Sequence, residues 1–391
     1  MAVPKIRIKG FEAEWKETTW GKLTSNFKYG INAAATPYDG QNKYLRITDI
    51  DDISRVFIQE NLTSPGIDLS YCNEYIMQHG DIVIARTGAS VGKSYIYHDT
   101  DGKVYFAGFL IRMRLNDDID KDFVFQNTLT NSFAKHIQIV SQRSGQPGVN
   151  VDELKSYSFS MPLDKDEQQA LGSYFQHLDS LIQSTTMKIA TLKQTKQASL
   201  QSMFPQEGET KPRVRFKGFT DEWKKVLIED MCKVTTGKSN TQDQVSNGNY
   251  PFFIRSEKVA RSNRYLHDLE AVITIGDGNI GKVFHYINGK FDLHQRCYMI
   301  YNFNTSLYAK YFYYYFTTYF YARVIKMSAK ATVDSVRLDM ITKMEILIPS
   351  FEEQKQIAEY FSNLDKQISI QEQRLEKLKQ IKSACLKNMF V

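Results

Sequence analysis

The sequence of this chain contains the same pattern twice. Residues 4–16 read PKIRIKGFEAEWK and residues 212–224 read PRVRFKGFTDEWK, with eight of thirteen positions identical. Residues 166–204 and 352–390 align over 39 positions without a gap. A repeat of this length indicates a tandem duplication of a whole domain followed by a helix, and it excludes a solenoid of small units.

The two 39-residue segments each predict one long helix. Their apolar residues recur at spacings of three and four, and acidic residues occupy the first turn of each. Each helix would be about 58 Å long. Its apolar stripe is too narrow to be buried against a small domain along the whole length. We therefore expect the two helices to pair as an antiparallel coiled coil; the alternative is two separate surface helices.

The repeat also predicts the domain limits. The polar stretch Pro205–Pro212, PQEGETKP, has the composition of a linker. The predicted fold class is α+β, with mixed α/β domains at 1–163 and 212–349, spacer helices at 164–204 and 350–391, and a linker at 205–211. The second copy is about 22 residues shorter by the repeat spacing, and we expect most of the difference between Gly237 and Glu270.

Two glycine-rich stretches resemble nucleotide-binding loops. GASVGKS (88–94) is one residue too short for a phosphate loop, whereas GDGNIGK (276–282) matches the dinucleotide pattern G-x-G-x-x-G. Both stretches lie between predicted strands, and Asn288-Gly289 predicts a hairpin turn after the second. A nucleotide site needs a helix start at that point. We interpret both as copies of one tight turn that could approach a phosphate backbone; the alternative is a plain connecting turn.

The rest of each domain follows a common order. A strand containing arginine is predicted at 44–50 and again at 252–259. After the glycine loop comes a helix with an aromatic stripe, which we expect to be core: Phe125, Leu129 and Phe133 in the first copy, and Phe312, Phe316 and Phe320 in the second. A polar loop (141–154 and 328–341) and a short strand ending at proline complete each copy.

Composition excludes several classes of protein. The net charge of +6 is compatible with a polyanionic partner but does not require one. The four cysteines are scattered, which argues against a thiolate zinc site and against a disulfide framework. No catalytic motif and no metal-ligand spacing occurs. With no apolar leader or spanning segment, we expect a cytoplasmic, non-membrane protein that is not an enzyme and binds no metal.

Several motifs occur in the same order in both halves. They are Gly-Phe-x-x-x-Trp near each start, Arg-Thr-Gly-Ala-Ser-Val-Gly-Lys at 86–93, Ser-Gly-Gln-Pro-Gly-Val at 144–149, and Pro-x-x-x-x-Glu-Gln at 162–168 with a version one residue shorter at 349–354. The Gly-Gln-Pro-Gly signature is missing from 328–337 of the second copy. Over essentially its whole length, the chain resembles the specificity subunit of type I restriction-modification systems.

That resemblance implies a non-catalytic subunit that recognises a DNA sequence. Each globular domain would be a target recognition domain reading one half of a bipartite, asymmetric site in double-stranded DNA. The paired helices would fix the gap between the halves and hold two methyltransferase subunits, with restriction subunits joining the larger complex. S-adenosylmethionine, ATP and Mg²⁺ would bind to those partners and not to this chain. Two alternatives remain: a coiled-coil scaffold whose globular ends bind proteins, and a nucleotide-dependent enzyme.

Residue chemistry selects the candidate DNA contacts. Arginine suits guanine edges, asparagine and glutamine suit adenine, and lysine more often holds phosphates. The candidates in the first domain are Arg46, Arg86, Thr87, Ser90, Lys93, Arg143 and Gln146. Those in the second are Arg255, Ser256, Lys258, Asn279, Lys282, Arg296 and Lys330.

Overall fold

The computed structural model describes residues 3–142, 145–328 and 335–391. The chain divides into two compact units: unit 1 comprises residues 1–188 and 371–391, and unit 2 comprises residues 189–370. The divisions fall inside both long helices, which the sequence-based domain limits had kept whole. Each unit therefore contains the beginning of its own long helix and the end of the other one.

Unit 1 is built from short strands and helices around a four-stranded sheet. Its strands are β1 (Lys16–Thr19), β2 (Thr24–Tyr29), β3 (Ala35–Pro37), β4 (Lys43–Leu45), β5 (Thr63–Pro65), β6 (Ile82–Ala85), β7 (Ser94–Ile96), β8 (Val104–Phe106), β9 (Leu110–Leu115) and β10 (Ser158–Met161). Its helices are α1 (Trp20–Leu23), α2 (Lys121–Asn127), α3 (Asn131–Val140), α4 (Val151–Lys155) and the first part of α5 (Lys165–Met203). The central sheet has the order β2-β9-β6-β7, and the all-apolar strand β6 is buried throughout.

Unit 2 repeats this plan with longer strands. They are β11 (Lys224–Leu227), β12 (Lys233–Thr236), β13 (Tyr250–Phe253), β14 (Ala260–Ser262), β15 (His267–Ile275), β16 (Phe284–Leu293), β17 (Cys297–Tyr301) and β18 (Glu345–Ile348). The helices are α6 (Ile228–Met231), α7 (Ala309–Ser328), α8 (Leu338–Thr342) and the first part of α9 (Phe351–Met389). The main sheet has the order β12-β17-β15-β16-β13-β14. Four short 3-10 turns complete the described elements, at Ile47–Asp49, Asn73–Tyr75, Asp99–Asp101 and Thr241–Asp243.

Strand pairing locates the shortening of the second copy. Leu45 and Phe253 each end a strand that pairs in parallel with a later one, and their numbers differ by 208. Ala85 and Ile275 each end the strand before the glycine loop, and their numbers differ by 190. The two differences are 18 residues apart, so most of the shortening lies between Phe253 and Ile275. This interval overlaps the predicted one, from Gly237 to Glu270.

The two long helices that the 39-residue repeat segments predict are present, each displaced by one residue from its segment. Helices α5 and α9 each contain 39 residues. Buried positions in the first half of α5 follow the predicted spacing at Leu171, Phe175, Leu178 and Ile182. Acidic residues in their first turns are held by arginines from the repeated start motif: Arg7 pairs with Glu167 at 2.7 Å, and Arg215 pairs with Glu353 at 2.6 Å.

The phenylalanine that follows each long helix packs in the core of one unit. In unit 1, Phe390 stacks on Phe123, with ring centroids 5.3 Å apart, and lies 5.6 Å from Phe175. In unit 2, the fully buried Phe204 stacks on Phe361 at 5.8 Å. The repeated Met-Phe ending is thus a core element of the unit reached at the far end of each helix.

The predicted hairpin turn at Asn288-Gly289 is wrong. Strand β16 runs without interruption through both residues, which pair with Glu270 and Leu269 of β15. Eight successive residue pairs hold this ladder, and their combined pairing outweighs the local turn preference of one Asn-Gly dipeptide. The turn joining β15 to β16 is the glycine loop itself.

The predicted helix of the first copy is divided into α2 and α3. Thr128 donates a hydrogen bond to the carbonyl of Phe125 at 2.6 Å, and Thr130 caps α3 by accepting from the backbone N–H of Phe133. These side chains satisfy backbone groups that a continuous helix would use. Leu129 therefore lies in the break, whereas Phe312, Phe316 and Phe320 of the second copy lie on the continuous helix α7 and are fully buried.

The predicted strands containing arginine end before their arginines. Strand β4 ends at Leu45, and Arg46 caps a 3-10 turn through its contacts with Asp49. Strand β13 ends at Phe253, two residues before Arg255. Both arginines therefore lie in the segments that follow the strands.

Candidate nucleic-acid interface

The two glycine loops have the same backbone construction. In unit 1, Gly88 and Gly92 have positive φ angles of 76° and 84°; in unit 2, Gly278 and Gly281 have φ angles of 82° and 68°. Three residues separate the glycines of the first loop and two separate those of the second. An L side chain rarely adopts this conformation, so glycine is required at both places.

The second glycine of each loop lies against a helix. A Cβ atom at Gly92 would approach Ile137 of α3 to 2.9 Å, and one at Gly281 would approach the backbone of Tyr321 in α7 to 3.2 Å. Both loops lead into strands, β7 and β16, and no helix starts there. The strand–turn–strand prediction is confirmed, and neither loop has the helix N-terminus on which phosphates rest in nucleotide-binding folds.

In unit 1, the loop is joined to the Gly-Gln-Pro-Gly segment at 145–148. The backbone N–H of Gly88 donates to the carbonyl of Pro147 at 3.0 Å, and Thr87 forms an antiparallel bridge with Gly148. Gln146 is exposed, and its side-chain amide lies beside Gly88. The structure therefore brings together three predicted residues, Arg86, Thr87 and Gln146, with the half-buried Ser90 in the same loop.

Arg86 is held by an aromatic ring. Its guanidinium carbon lies 4.8 Å from the ring centroid of Tyr29, whose hydroxyl accepts a hydrogen bond from the backbone N–H of Val151. Such a cation–π contact fixes the guanidinium plane without occupying its N–H groups. Among the described residues, none accepts a hydrogen bond from the guanidinium of Arg86.

Arg46 and Lys93 already have partners within unit 1. Arg46 donates two hydrogen bonds of 2.8 Å to Asp49, and these bonds raise the pKa of the guanidinium. Lys93 has a side chain only 8% exposed, with Nζ 2.6 Å from Asp52 and 3.3 Å from the carbonyl of Ile47. A DNA phosphate would have to compete with these carboxylates for either side chain.

In unit 2, one carboxylate holds two of the predicted arginines. The guanidinium of Arg255 lies 3.2 Å from Asp277, and that of Arg296 lies 3.7 Å from the same carboxylate. Both arginine side chains are at least half exposed, at 50% and 63%. The backbone N–H of Arg296 donates to Nδ1 of His294, and burial lowers the pKa of that imidazole, which favours the acceptor form.

The remaining predicted residues of unit 2 occupy its surface in different ways. Lys282 and Asn279 are exposed on the glycine loop, and Nζ of Lys282 lies 4.9 Å from the ring centroid of Tyr321. Ser256 accepts a hydrogen bond from the backbone N–H of the exposed Lys258. Arg143 and Lys330 lie outside the described residues.

Sequence reasoning missed three residues of these clusters: Tyr29, Phe109 and Asp277. Phe109 is 62% exposed, and its carbonyl accepts a hydrogen bond from the backbone N–H of Arg86. Asp277 had a sequence signal, as a member of the second glycine loop. No motif or periodic pattern indicates Tyr29 or Phe109, because their proximity to Arg86 arises from tertiary contacts.

The described part of the chain has neither a metal cluster nor a membrane helix. No group of three or more His, Cys, Asp or Glu side chains within it could hold a metal ion. None of its helices is long and apolar enough to cross a bilayer. A cavity of about 1190 Å³ in unit 1 lies among residues 52–59, the glycine loop and α3, with acidic Asp179 and basic Lys382 both at its wall.

The family model of the type I restriction modification DNA specificity domain matches residues 32–194 and again residues 220–380. The chain belongs to this family. It is also 30% identical, over 160 residues, to the type I restriction enzyme EcoDI specificity subunit of Escherichia coli. That match covers 41% of this chain and only 35% of the relative, so it spans about a third of the relative's length.

Two solved structures have a fold similar to that of this chain. The S subunit of a type I restriction-modification system from M. genitalium matches 100% of this chain and 99% of its own, with a TM-score of 0.74 and 14% identity. A chain from a structure on complex assembly and conformational transition of the type I R-M system matches 96% of this chain and 97% of its own, with a TM-score of 0.50 and 14% identity. At such identities the likeness concerns the fold alone.

Proposed function

We propose that this chain is a non-catalytic subunit that recognises a bipartite, asymmetric sequence in double-stranded DNA. Each unit reads one half of the site. The observation that carries the proposal is the duplication: the family's DNA specificity domain occurs twice in one chain, and each copy has exposed polar residues around the same glycine turn. Two domains with different side chains suit a site whose halves differ.

We further propose that α5 and α9 pair as an antiparallel coiled coil that sets the spacing of the half-sites. Contacts within each unit support this. In unit 1, Asp179 of α5 pairs with Lys382 of α9 at 2.5 Å. In unit 2, Lys196 pairs with Asp365 at 2.6 Å, and the hydroxyls of Ser199 and Tyr360 are 2.9 Å apart. Within unit 2, the partner in α9 moves from Asp365 to Tyr360 as the residue in α5 moves from Lys196 to Ser199, which supports an antiparallel register.

Catalysis would reside on partner subunits. Two methyltransferase subunits that use S-adenosylmethionine would dock on the helices, and restriction subunits that use ATP and Mg²⁺ would join the larger complex. The polar outer faces of the helices, rich in Lys, Gln and Glu, offer hydrogen-bonding surface for such docking. The EcoDI relative is named as the specificity subunit of a restriction enzyme, which supports a role within a larger assembly.

Binding measurements on the complex with methyltransferase subunits test the proposal. Methylome sequencing of cells that carry the system supplies the target, and the affinity of the complex is then measured for target and random duplexes over a range of salt concentrations. We expect tighter binding to the target, and we expect the logarithm of the affinity to fall linearly with the logarithm of the salt concentration. Equal affinity for both duplexes and no salt dependence would favour the scaffold alternative. Tight binding of ATP or NAD to the isolated chain would favour the enzyme alternative.

A further inference from the structure

The hydrogen bonds around the two glycine loops define equivalent positions in the two units. In unit 1, the N–H of Arg86 donates to the carbonyl of Phe109 at 2.9 Å, and the carbonyl of Arg86 accepts from Val149 at 2.8 Å. In unit 2, the N–H of Gly276 donates to Arg296 at 2.7 Å, and its carbonyl accepts from Val336 at 2.6 Å. Arg86 therefore corresponds to Gly276, and Phe109 corresponds to Arg296.

A second pair follows from the adjacent bridges. Thr87 bridges Gly148, and Asp277 bridges Ser335, each in antiparallel geometry. Thr87 therefore corresponds to Asp277. One backbone frame thus joins three segments in each unit: the start of the glycine loop, the turn before β9 or β17, and the segment before α4 or α8.

Within this frame, some positions keep their residue type and others do not. Val149 and Val336 are both buried valines, and Gly88 and Gly278 are both glycines with positive φ. The exposed positions instead carry Phe109 in unit 1 and Arg296 in unit 2. Packing explains the constancy of the buried valines. The side chain of Phe109 is 62% exposed, so packing within unit 1 does not determine its identity.

The chemistry of the two exposed sets suits different base pairs. In unit 1, Arg86 on the ring of Tyr29 can donate two hydrogen bonds to a guanine edge, while Phe109 offers an apolar contact to a thymine methyl group. In unit 2, Asp277 holds Arg255 and Arg296 together, which restricts the rotamers of two guanine-reading side chains. The exposed side chains of the frame thus differ between the two units, as expected if the units contact half-sites of different sequence.

We propose that Phe109 and Arg296 are equivalent base-contacting residues of the two half-sites, with Asp277 as the positioning residue for Arg296. This inference rests on the proposed function and adds to it the positions that set sequence preference. Arg86 lies beside Phe109 in unit 1, and Arg255 lies beside Arg296 in unit 2.

The test is selection from duplexes randomised at one half-site at a time, with the full chain in complex with its methyltransferase subunits. Phe109→Ala should reduce discrimination at one or two base pairs of one half-site by roughly tenfold and leave the other half-site unchanged. Arg296→Ala should do the same in the other half-site. Asp277→Asn should weaken discrimination at the base pair affected by Arg296→Ala, and by a smaller factor.

Matched controls separate a role in reading DNA from general effects. Tyr71 is an 89% exposed aromatic residue of unit 1, and Arg213 is a 68% exposed arginine of unit 2 outside the frame. Their alanine variants should leave the selected sequences unchanged. The exchanged variants Phe109→Arg and Arg296→Phe should each select a new base pair at the affected position, with guanine preferred by Phe109→Arg. Because both side chains are exposed, neither substitution disturbs a core.

The outcomes distinguish this inference from the function on which it rests. If the unaltered complex selects two half-sites but Phe109→Ala and Phe109→Arg select the same sequences as the parent, the inference is wrong and the proposed function stands. Uniform loss of affinity for all sequences would also overturn it, because it would indicate a phosphate or folding role. If the unaltered complex selects no sequence, the proposed function itself is wrong.

Discussion

At the scale of single residues, two lysines at the end of the glycine loop differ in their surroundings. Nζ of Lys93 lies 2.6 Å from Asp52 on a side chain only 8% exposed, whereas Lys282 is exposed over the ring of Tyr321. The sequence treats them alike, as the last residues of Gly-Lys pairs. The charge of Lys93 is compensated within unit 1, so of the two we expect only Lys282 to contact a phosphate.

Alanine substitution distinguishes the two lysines. Lys282→Ala should reduce the slope of log Kd against log salt concentration by about one, because one fewer phosphate is neutralised. Lys93→Ala should leave that slope unchanged and lower the melting temperature, because the buried alkyl chain and the contact with Ile47 are lost. Fluorescence anisotropy across a salt series and thermal melting of each variant make the comparison. A reduced slope for Lys93→Ala would mean that this lysine leaves Asp52 for the DNA.

Among the secondary-structure elements, strand β16 of unit 2 is determined by its pairing with β15. Its pairing with β15 overrides the Asn-Gly turn signal and carries His285 against the ring of Phe253, 5.0 Å away. The imidazole N–H of His285 donates to the carbonyl of Ser256 at 3.2 Å. Burial lowers the pKa of His285 below its ordinary value of 6.5, in spite of this bond and the nearby Glu257. The strand therefore holds a histidine whose neutral form is favoured by folding.

This histidine makes the stability of unit 2 depend on pH. The unfolded chain takes up a proton near pH 6.5, before the folded chain does, so the stabilising contribution is present above that pH and is lost as the pH falls below it through the lowered pKa. In His285→Gln, the neutral amide can still donate to Ser256 but does not titrate. The melting temperature of the parent minus that of the variant should therefore be smaller at pH 5.5 than at pH 7.5. An equal difference at both pH values would show that His285 does not contribute.

At the scale of the whole molecule, each unit is closed by a segment that belongs, in sequence, to the other repeat. Residues 371–391 complete the core of unit 1 although about 180 residues of unit 2 precede them. Phe390 packs between Phe123 and Phe175, and Phe204 packs on Phe361 in the other unit. The chain cannot be cut at the linker without removing core residues from at least one unit.

Amide hydrogen exchange tests whether the end of each long helix stabilises the unit in which it packs. Phe390→Ala should lose roughly 3–5 kcal/mol of stability, as buried Phe-to-Ala changes do, and its faster exchange should be confined to unit 1, for example in β6 and β9. Phe204→Ala should accelerate exchange in β15 and β17 of unit 2 instead. Ile381→Ala, at a position 38% exposed on α9, is the control and should affect neither sheet strongly. Faster exchange in unit 2 for Phe390→Ala would contradict the assignment of this residue to the core of unit 1.

Four features of this protein could be predicted from its residues alone: the duplication, the two long helices, the strand–turn–strand setting of the glycine loops and the buried aromatic stripe of α7. These features are local or periodic, and the long helices and the glycine loops occur twice, so one copy checks the other. Tertiary structure alone decided the course of β16 through Asn288-Gly289, the partner of Lys93, the joining of Arg255 and Arg296 by Asp277, and the equivalence of Phe109 and Arg296. Each of these depends on strand register and on packing between residues distant in sequence, where summed pairing outweighs local preference. Sequence motifs are local, so they do not predict these long-range contacts.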